Sequence, residues 1–379
     1  MEKRITLLAS DESTAPLYRV RLLAHMLALR HEVEVVGFHF DPKKLDPLAP
    51  RDFPYIALEG RDLPFFLEDA RRMRQLLRGG IVYAMKPRPS SLGLALWHKQ
   101  KTGVPVAVDV DDDELSMIPP YSKHPLKNLL FSLPKLHQPN CFAYTSLLDP
   151  FIRGADQVTV VSEHFRKRYG GDIVPQYVDT ERFHPAKYDR NRIRMEDDLG
   201  DKPAIAFVGI AQPNKGVGEI LDAMDALKGA WRLWIIGPKT PYAYQLAARD
   251  RRVILFGTQP PEKAPRFLAA ADLVVLPQRR GPHSDGQMPI KLFEAMAMGK
   301  PIVATALADI PRILDGCGVV VPPEDPRALQ EALVQLEEEP DWAFRLGRRA
   351  RMRCESRYSW DVGAQHLETL FAPLFGGAR

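Results

Sequence analysis

The sequence predicts an α/β protein built from two doubly wound parallel-sheet domains. Its 379 residues amount to about two and a half domains at about 150 residues each, so two are expected. Short β-rich runs alternate with helical stretches twice along the chain. Several of these runs are nearly continuous Val, Ile and Ala, as in parallel strands covered on both faces. Ligands of such sheets bind beyond the carboxyl ends of the strands. With two sheets facing each other, the expected site is the cleft between the domains.

The first set of strands is read at Arg4–Ser10, Val33–His39, Pro54–Glu59, Ile81–Lys86, Pro105–Asp111 and Gln157–Ser162. The stretch Leu17–Arg30 lies between the first two and reads as a helix, with Leu22, Leu23, Met26, Leu27 and Leu29 on one face. The second set is Ala204–Gly209, Arg232–Gly237, Val253–Gly257, Leu273–Pro277, Pro301–Thr305 and Gly318–Val321. These runs divide the chain into a first domain over 1–178, a charged linker over 179–202, a second domain over 203–357 and a C-terminal helix over 358–379. That last helix, apolar at Trp360, Val362, Leu367, Leu370 and Phe371, follows the second domain's final helix and needs another surface to pack on.

Composition narrows the function. Hydrophobic residues make up 45% of the chain and charged residues 26%, which supplies two cores and excludes wholesale disorder. A net charge of +4 lacks the concentrated basic stripe of a nucleic-acid binder. Three cysteines, Cys141, Cys317 and Cys354, have no metal-ligand spacing and read as small buried hydrophobes in a reducing compartment. The first apolar run is too short for a signal peptide, and no window is long enough to span a membrane. The expected location is therefore cytoplasmic, with attachment to the inner face of a membrane as the alternative.

Two motifs carry phosphate chemistry. In FVGIAQPNKGVGEILDAM, residues 207–224, a strand ends at Gly209, Lys215 follows in a loop, and Gly216 opens a helix. A lysine beside a helix N-terminus suits a phosphate, because free N–H groups and the helix dipole act with the ammonium; a solvated loop lysine is the plain alternative. The third glycine of a dinucleotide fingerprint would fall at Leu221, which removes the NAD reading of this loop and leaves a Rossmann oxidoreductase the weakest of the alternatives. In DGQMPIKLFEAMAMGKPIVAT, residues 285–305, Pro289 is expected as the first helical residue, with Lys291 in the first turn and Glu294 three residues on, on the same face. A phosphate near Lys291 and hydroxyls near Glu294 fit this spacing, and so does an ordinary i,i+3 ion pair.

Together these motifs resemble the donor half of the family 4 retaining glycosyltransferases, which have the GT-B fold of two Rossmann-like domains facing across a cleft. VTVVSEHFRKRYG followed by VPQYVDTERFHP resembles the end of that fold's first domain and its crossover. ADLVVLPQ resembles the strand before the donor loop, and YSW the start of the helix that returns to the first domain. The resemblance implies transfer of a sugar from a nucleotide-diphosphate sugar to a hydroxyl acceptor, with retention of configuration and no cofactor or metal. It implies that Lys215 and Lys291 meet the diphosphate and that Glu294 meets the ribose hydroxyls. The donor side so implied comprises Gly209, Lys215, Gly286, Gln287, Met288, Pro289, Lys291 and Glu294. Family members often carry Arg after the FVG glycine, where this chain has Ile210, and a glutamate where it has Gly286. Asp285 or backbone N–H groups around Gln287 are the candidate replacements.

On the first domain, PVAVDVDDDE, residues 105–114, is a buried strand ending in carboxylates. Asp109-Val110-Asp111 matches the D-x-D pattern of metal-dependent enzymes of another fold, a reading set aside because the neighbouring motifs are of the GT-B class. In that class a histidine often follows this strand; counted from Pro105, its place falls at Asp111. Asp111 and Asp112 are thus the candidate catalytic groups, orienting a sugar hydroxyl or accepting the acceptor's proton; a solvated acidic loop is the alternative. Arg19 after the first strand, and Lys86 and Arg88 after YAMK, are candidate phosphate or acceptor contacts. The basic and apolar segment 120–138 reads either as a helix packed on its own domain or as a peripheral membrane contact for a lipid-linked acceptor. A nucleotide-sugar epimerase of the same fold and a non-catalytic nucleotide-sugar binding protein remain alternative functions.

Overall fold

The computed structural model describes residues 4–11, 17–41, 53–118, 122 and 124–376. The chain divides into two compact units, Met1–Pro175 with Asp361–Arg379, and Gln176–Trp360. The first unit holds β1 (Arg4–Ala9), β2 (Glu32–His39), β3 (Tyr55–Glu59), β4 (Ile81–Met85), β5 (Val106–Val110), β6 (Gln157–Val160) and β7 (Asp172–Ile173). They form one sheet in the order β3-β2-β1-β4-β5-β6-β7, every pairing parallel. The second unit holds β8 (Ala204–Val208), β9 (Arg232–Ile236), β10 (Val253–Gly257), β11 (Leu273–Leu276), β12 (Ile302–Thr305) and β13 (Val319–Val321). Its order is β10-β9-β8-β11-β12-β13, again all parallel.

Strand direction of winding reverses between β1 and β4 in the first sheet and between β8 and β11 in the second. A reversal sends the flanking connections to opposite faces and leaves a crevice beyond the strand ends, where ligands of such sheets bind. β4 and β5 are buried along their whole length, as the uninterrupted apolar runs require. Pro54, Pro105 and Pro301 fall just outside their strands. Without an N–H they cannot extend the ladder, yet their carbonyls accept from Val35, Val82 and Val274 of neighbouring strands.

Three expectations need correction. The stretch 179–202 is part of the second unit rather than a linker. Its helix Arg190–Glu196 buries Arg194, which donates to the carbonyls of Ala270, Gly200 and Lys202, pairs with Asp272 and stacks over the Trp234 ring. The charges that suggested solvent are therefore partly internal. Helix Leu17–Ala28 stops short of Leu29, which is 56% exposed. The edge strand β7 was not anticipated, being two residues long. Helix Trp360–Gly376 belongs to the first unit, where Phe371 is fully buried against Tyr83, ring centroids 5.0 Å apart.

Candidate active site

The second unit gathers the donor-side residues at its reversal point. β8 is followed by Gly209, whose φ of 149° is open to glycine, and a Cβ on Gly237, just after β9, would lie 2.0 Å from the Gly209 carbonyl oxygen. Two backbones therefore touch where the sheet opens. Lys215 lies in the turn Pro213–Lys215, and Gly216 follows with φ 66°; a Cβ there would fall 1.9 Å from the Pro277 carbonyl oxygen. Lys215 Nζ donates to Gln287 Oε1 at 2.8 Å, and Gln278 Nε2 donates to the same oxygen at 3.1 Å. The loop after β8, the end of β11 and the loop before helix Ile290–Ala297 thus converge on one amide.

Pro289 is the cap of that helix, with extended ψ of 123°, and Ile290 is its first residue, one later than expected. Lys291 Nζ lies 2.9 and 3.1 Å from the two carboxylate oxygens of Glu294, which is 2% exposed. The ion pair allowed by the spacing is formed. Asp285 accepts the Gly281 N–H at 3.2 Å and closes the turn before Gly286. Met288, expected on the donor side, has its side chain in the core of the unit and holds the loop from within. Ile210, where an arginine was considered, is 45% exposed.

In the first unit the carboxylates after β5 meet the cations after β4. Lys86 Nζ is 3.1 Å from Asp111, 3.0 Å from Asp112 and 2.6 Å from Glu114, and Arg88 pairs with Glu114. Among the described residues, Asp111, Asp112 and Glu114 are the group whose oxygens approach within 4.8 Å of one another. The Lys86 ammonium lies within reach of all three. Burial opposes its charge, but the three carboxylates outweigh that cost and hold its pKa well above the usual lysine value. Glu114 is likewise buried, and Lys86 and Arg88 keep its pKa below normal. Asp111 goes the other way: burial, helped by Asp112, Asp109 and Glu114 against Lys86, pushes it up to about 7. Lys86 has φ 71°, a left-handed backbone that is costly for a side chain with a Cβ and is met most often at functional sites. Asp111, Lys86 and Ser10 line a cavity of about 10 Å³ between the ends of β1 and β4.

Arg19, expected to contact phosphate or acceptor, is instead engaged inside the protein. It is 3% exposed, clamps both oxygens of Asp109 at 3.0 Å, and donates to the carbonyls of Val174 and Pro175. Tyr83 and Thr159 complete the coordination of Asp109 at 3.3 and 2.7 Å. This buried network fixes the end of β5, and so the start of the carboxylate run. The other residues of the first strand–helix turn, 12–16, lie outside the described residues. Gln278 and Arg279, which donates to Glu219 at 2.6 Å, were not anticipated. Their signal was present, since they lie two and three residues past the end of β11.

The description "Glycosyl transferases group 1" matches residues 202–339, and "Glycosyl transferase 4-like domain" matches residues 15–179. The chain belongs to the group 1 glycosyl transferases. Among relatives of this glycosyl transferase is the GDP-mannose-dependent alpha-(1-6)-phosphatidylinositol monomannoside mannosyltransferase of Mycolicibacterium smegmatis. It is 31% identical over 246 residues, covering 59% of this chain and 63% of the relative. A D-inositol 3-phosphate glycosyltransferase of Segniliparus rotundus is 32% identical over 226 residues, covering 55% and 48%. The matches therefore span about half to just under two thirds of these curated relatives. Sucrose-phosphate synthase from Thermosynechococcus elongatus superposes over 100% of both chains with a TM-score of 0.76 at 19% identity. Anabaena HepE in complex with UDP-glucose covers 97% of this chain and 99% of its own at TM-score 0.74 and 14% identity. At these identities the likeness shows the fold, GT-B.

Proposed function

We propose that this glycosyl transferase moves a hexose from a nucleotide-diphosphate sugar to a hydroxyl acceptor with retention of configuration and without a metal. The convergence of Lys215, Gln278 and Gln287 beyond the ends of β8 and β11 carries the reading. In this reading Lys215 and Lys291 meet the diphosphate, Glu294 accepts hydrogen bonds from the ribose hydroxyls, and the glycine contacts let backbone approach the ligand closely. As the bond from the anomeric carbon to the diphosphate oxygen breaks, negative charge grows on the leaving group, where the two ammonium groups stabilise it. The acceptor oxygen forms the new bond on the same face. Its proton passes to Asp111 or to the leaving phosphate.

The first unit takes the acceptor, with Asp112 and Glu114 holding Lys86 beside Asp111. A peripheral membrane contact of that unit is part of the proposal, since the phosphatidylinositol mannosides named for one relative are lipids. GDP-mannose heads the donor panel for the same reason. Calorimetry with GDP-mannose, UDP-glucose and the free diphosphates tests the donor side. Lys215→Ala and Lys291→Ala are each expected to weaken binding of the recognised donor about tenfold or more, the range of one charge-assisted contact. Unchanged affinity in both variants would remove the assignment.

A further inference from the structure

Helix Pro125–Ser132 is built inside out. Its buried side chains are the polar Asn128 and Ser132, 4% and 3% exposed, while Leu126, Leu129, Leu130 and Phe131 face solvent, Leu126 at 76%. The inward polar pair is locally satisfied. Asn128 receives the Ser122 N–H and donates to the Ser122 carbonyl, and the Ser132 hydroxyl donates to Leu129. Exposed Leu133 and Leu136 continue the apolar surface past the helix. A helix that packs its apolar face on its own domain, the first alternative read from the sequence, has the opposite arrangement.

The surface extends into a groove of about 330 Å³ lined by Phe66, Leu67, Tyr144, Leu147, Leu148 and Phe151. Two hydrogen bonds stitch this groove to the segment after the helix: the Tyr144 hydroxyl donates to the Leu136 carbonyl, and the Leu63 N–H donates to that of His137. Charge selects the occupant. From 115 to 148 the sequence contains no Asp or Glu, yet it carries Lys123, Lys127 and Lys135. Apolar side chains flanked by lysines complement a surface that is apolar inside and anionic outside; the carboxylates beside the groove, Asp62 and Glu68, face His137 and the arginines Arg61 and Arg72.

We infer that the face formed by helix Pro125–Ser132, its continuation to Leu136 and the adjoining groove docks onto an anionic phospholipid bilayer. Leucines and Phe131 enter the acyl boundary, Lys127 and Lys135 meet the headgroup phosphates, and the groove takes an acyl chain. The inference deepens the reading of a lipid-linked acceptor. Its test is separate, because binding is read with no donor, acceptor or turnover.

Sedimentation with phosphatidylcholine vesicles, with and without about one third phosphatidylglycerol, measures it. The wild-type chain is expected to bind the anionic vesicles, less so as salt rises. Leu126→Ser with Leu130→Ser, and separately Lys127→Glu with Lys135→Glu, should each lower the partition coefficient at least tenfold, with circular dichroism and thermal midpoint unchanged. Failure of the wild type to bind anionic vesicles would overturn the proposal, as would binding that both double variants retain. A second copy of the chain as occupant would appear as a dimer by sedimentation velocity that the serine variant dissociates, with vesicles ignored; that result also overturns it.

Discussion

Asp111 carries the sharpest consequence of the charge cluster. Its pKa of about 7 places its titration in the working range, whereas an ordinary aspartate would be ionised throughout. If it takes the acceptor's proton, it must be ionised first, so kcat/KM should rise with pH through about 7, and Asp111→Asn should flatten that limb. Stability moves in the opposite direction. The folded pKa exceeds the ordinary 3.8, so the folded chain binds this proton more tightly than the unfolded chain does. The resulting stabilisation is full below about 4 and fades as pH climbs through about 7. Thermal midpoints of Asp111→Asn should therefore fall less than those of the wild type between those limits. Lys86 is the cluster's counterweight. Lys86→Met leaves buried Glu114, Asp111 and Asp112 short of a cation and should cost about 3–5 kcal/mol of unfolding free energy in urea titrations, the range for breaking a buried pair.

Residues of this kind divide by how far their partners lie along the chain. Lys291 and Glu294 were legible as a pair because helical spacing puts i and i+3 on one face. Lys215 was legible because a loop between strand and helix is where phosphates bind. The use of Arg19 was not, since its partners Asp109, Val174 and Pro175 are between 90 and 156 residues away. No local pattern distinguishes a buried clamp from a surface arginine.

At the scale of elements, apolar periodicity located twelve of the thirteen strands among the described residues to within a residue or two at their ends, because buried parallel strands need long apolar runs. It failed where charge misled. Helix Arg190–Glu196 reads as solvent-exposed linker, yet Arg194 is 5% exposed and holds the carbonyl end of helix Ala264–Ala270 through Ala270. Arg194→Met should destabilise the second unit by about 3 kcal/mol, since the carbonyls of Ala270, Gly200 and Lys202 lose a buried donor and Asp272 keeps only Arg190 and the Ala204 N–H. Urea unfolding followed by the fluorescence of Trp234, which lies under the guanidinium, reports it. Helix Pro125–Ser132 failed the other way: its composition was read correctly as mixed, but only the structure shows which side faces out.

For the whole molecule, the three carboxylates of the first unit pose the question of a metal; the Lys86 ammonium, with Arg88 on Glu114, offsets part of their charge, and the proposal is that transfer needs none. Transfer is accordingly expected to proceed at an unchanged rate after exhaustive chelation with EDTA, and restoration of a lost rate by added Mg²⁺ or Mn²⁺ would refute the metal-free proposal. No helix among the described residues is long and apolar enough to cross a membrane.

The chain enters the second unit at Gln176 and leaves it at Trp360. The two passages are laced together, Val178 donating to the Tyr358 carbonyl and accepting from the Trp360 N–H. This ordering has a consequence for synthesis. A ribosome finishes the second unit while the first, though begun earlier, still lacks Phe371, which fills its interior beside Tyr83. The first half to emerge is thus the last to mature, and until the closing helix arrives its apolar interior is a nascent-chain surface for chaperones to shield.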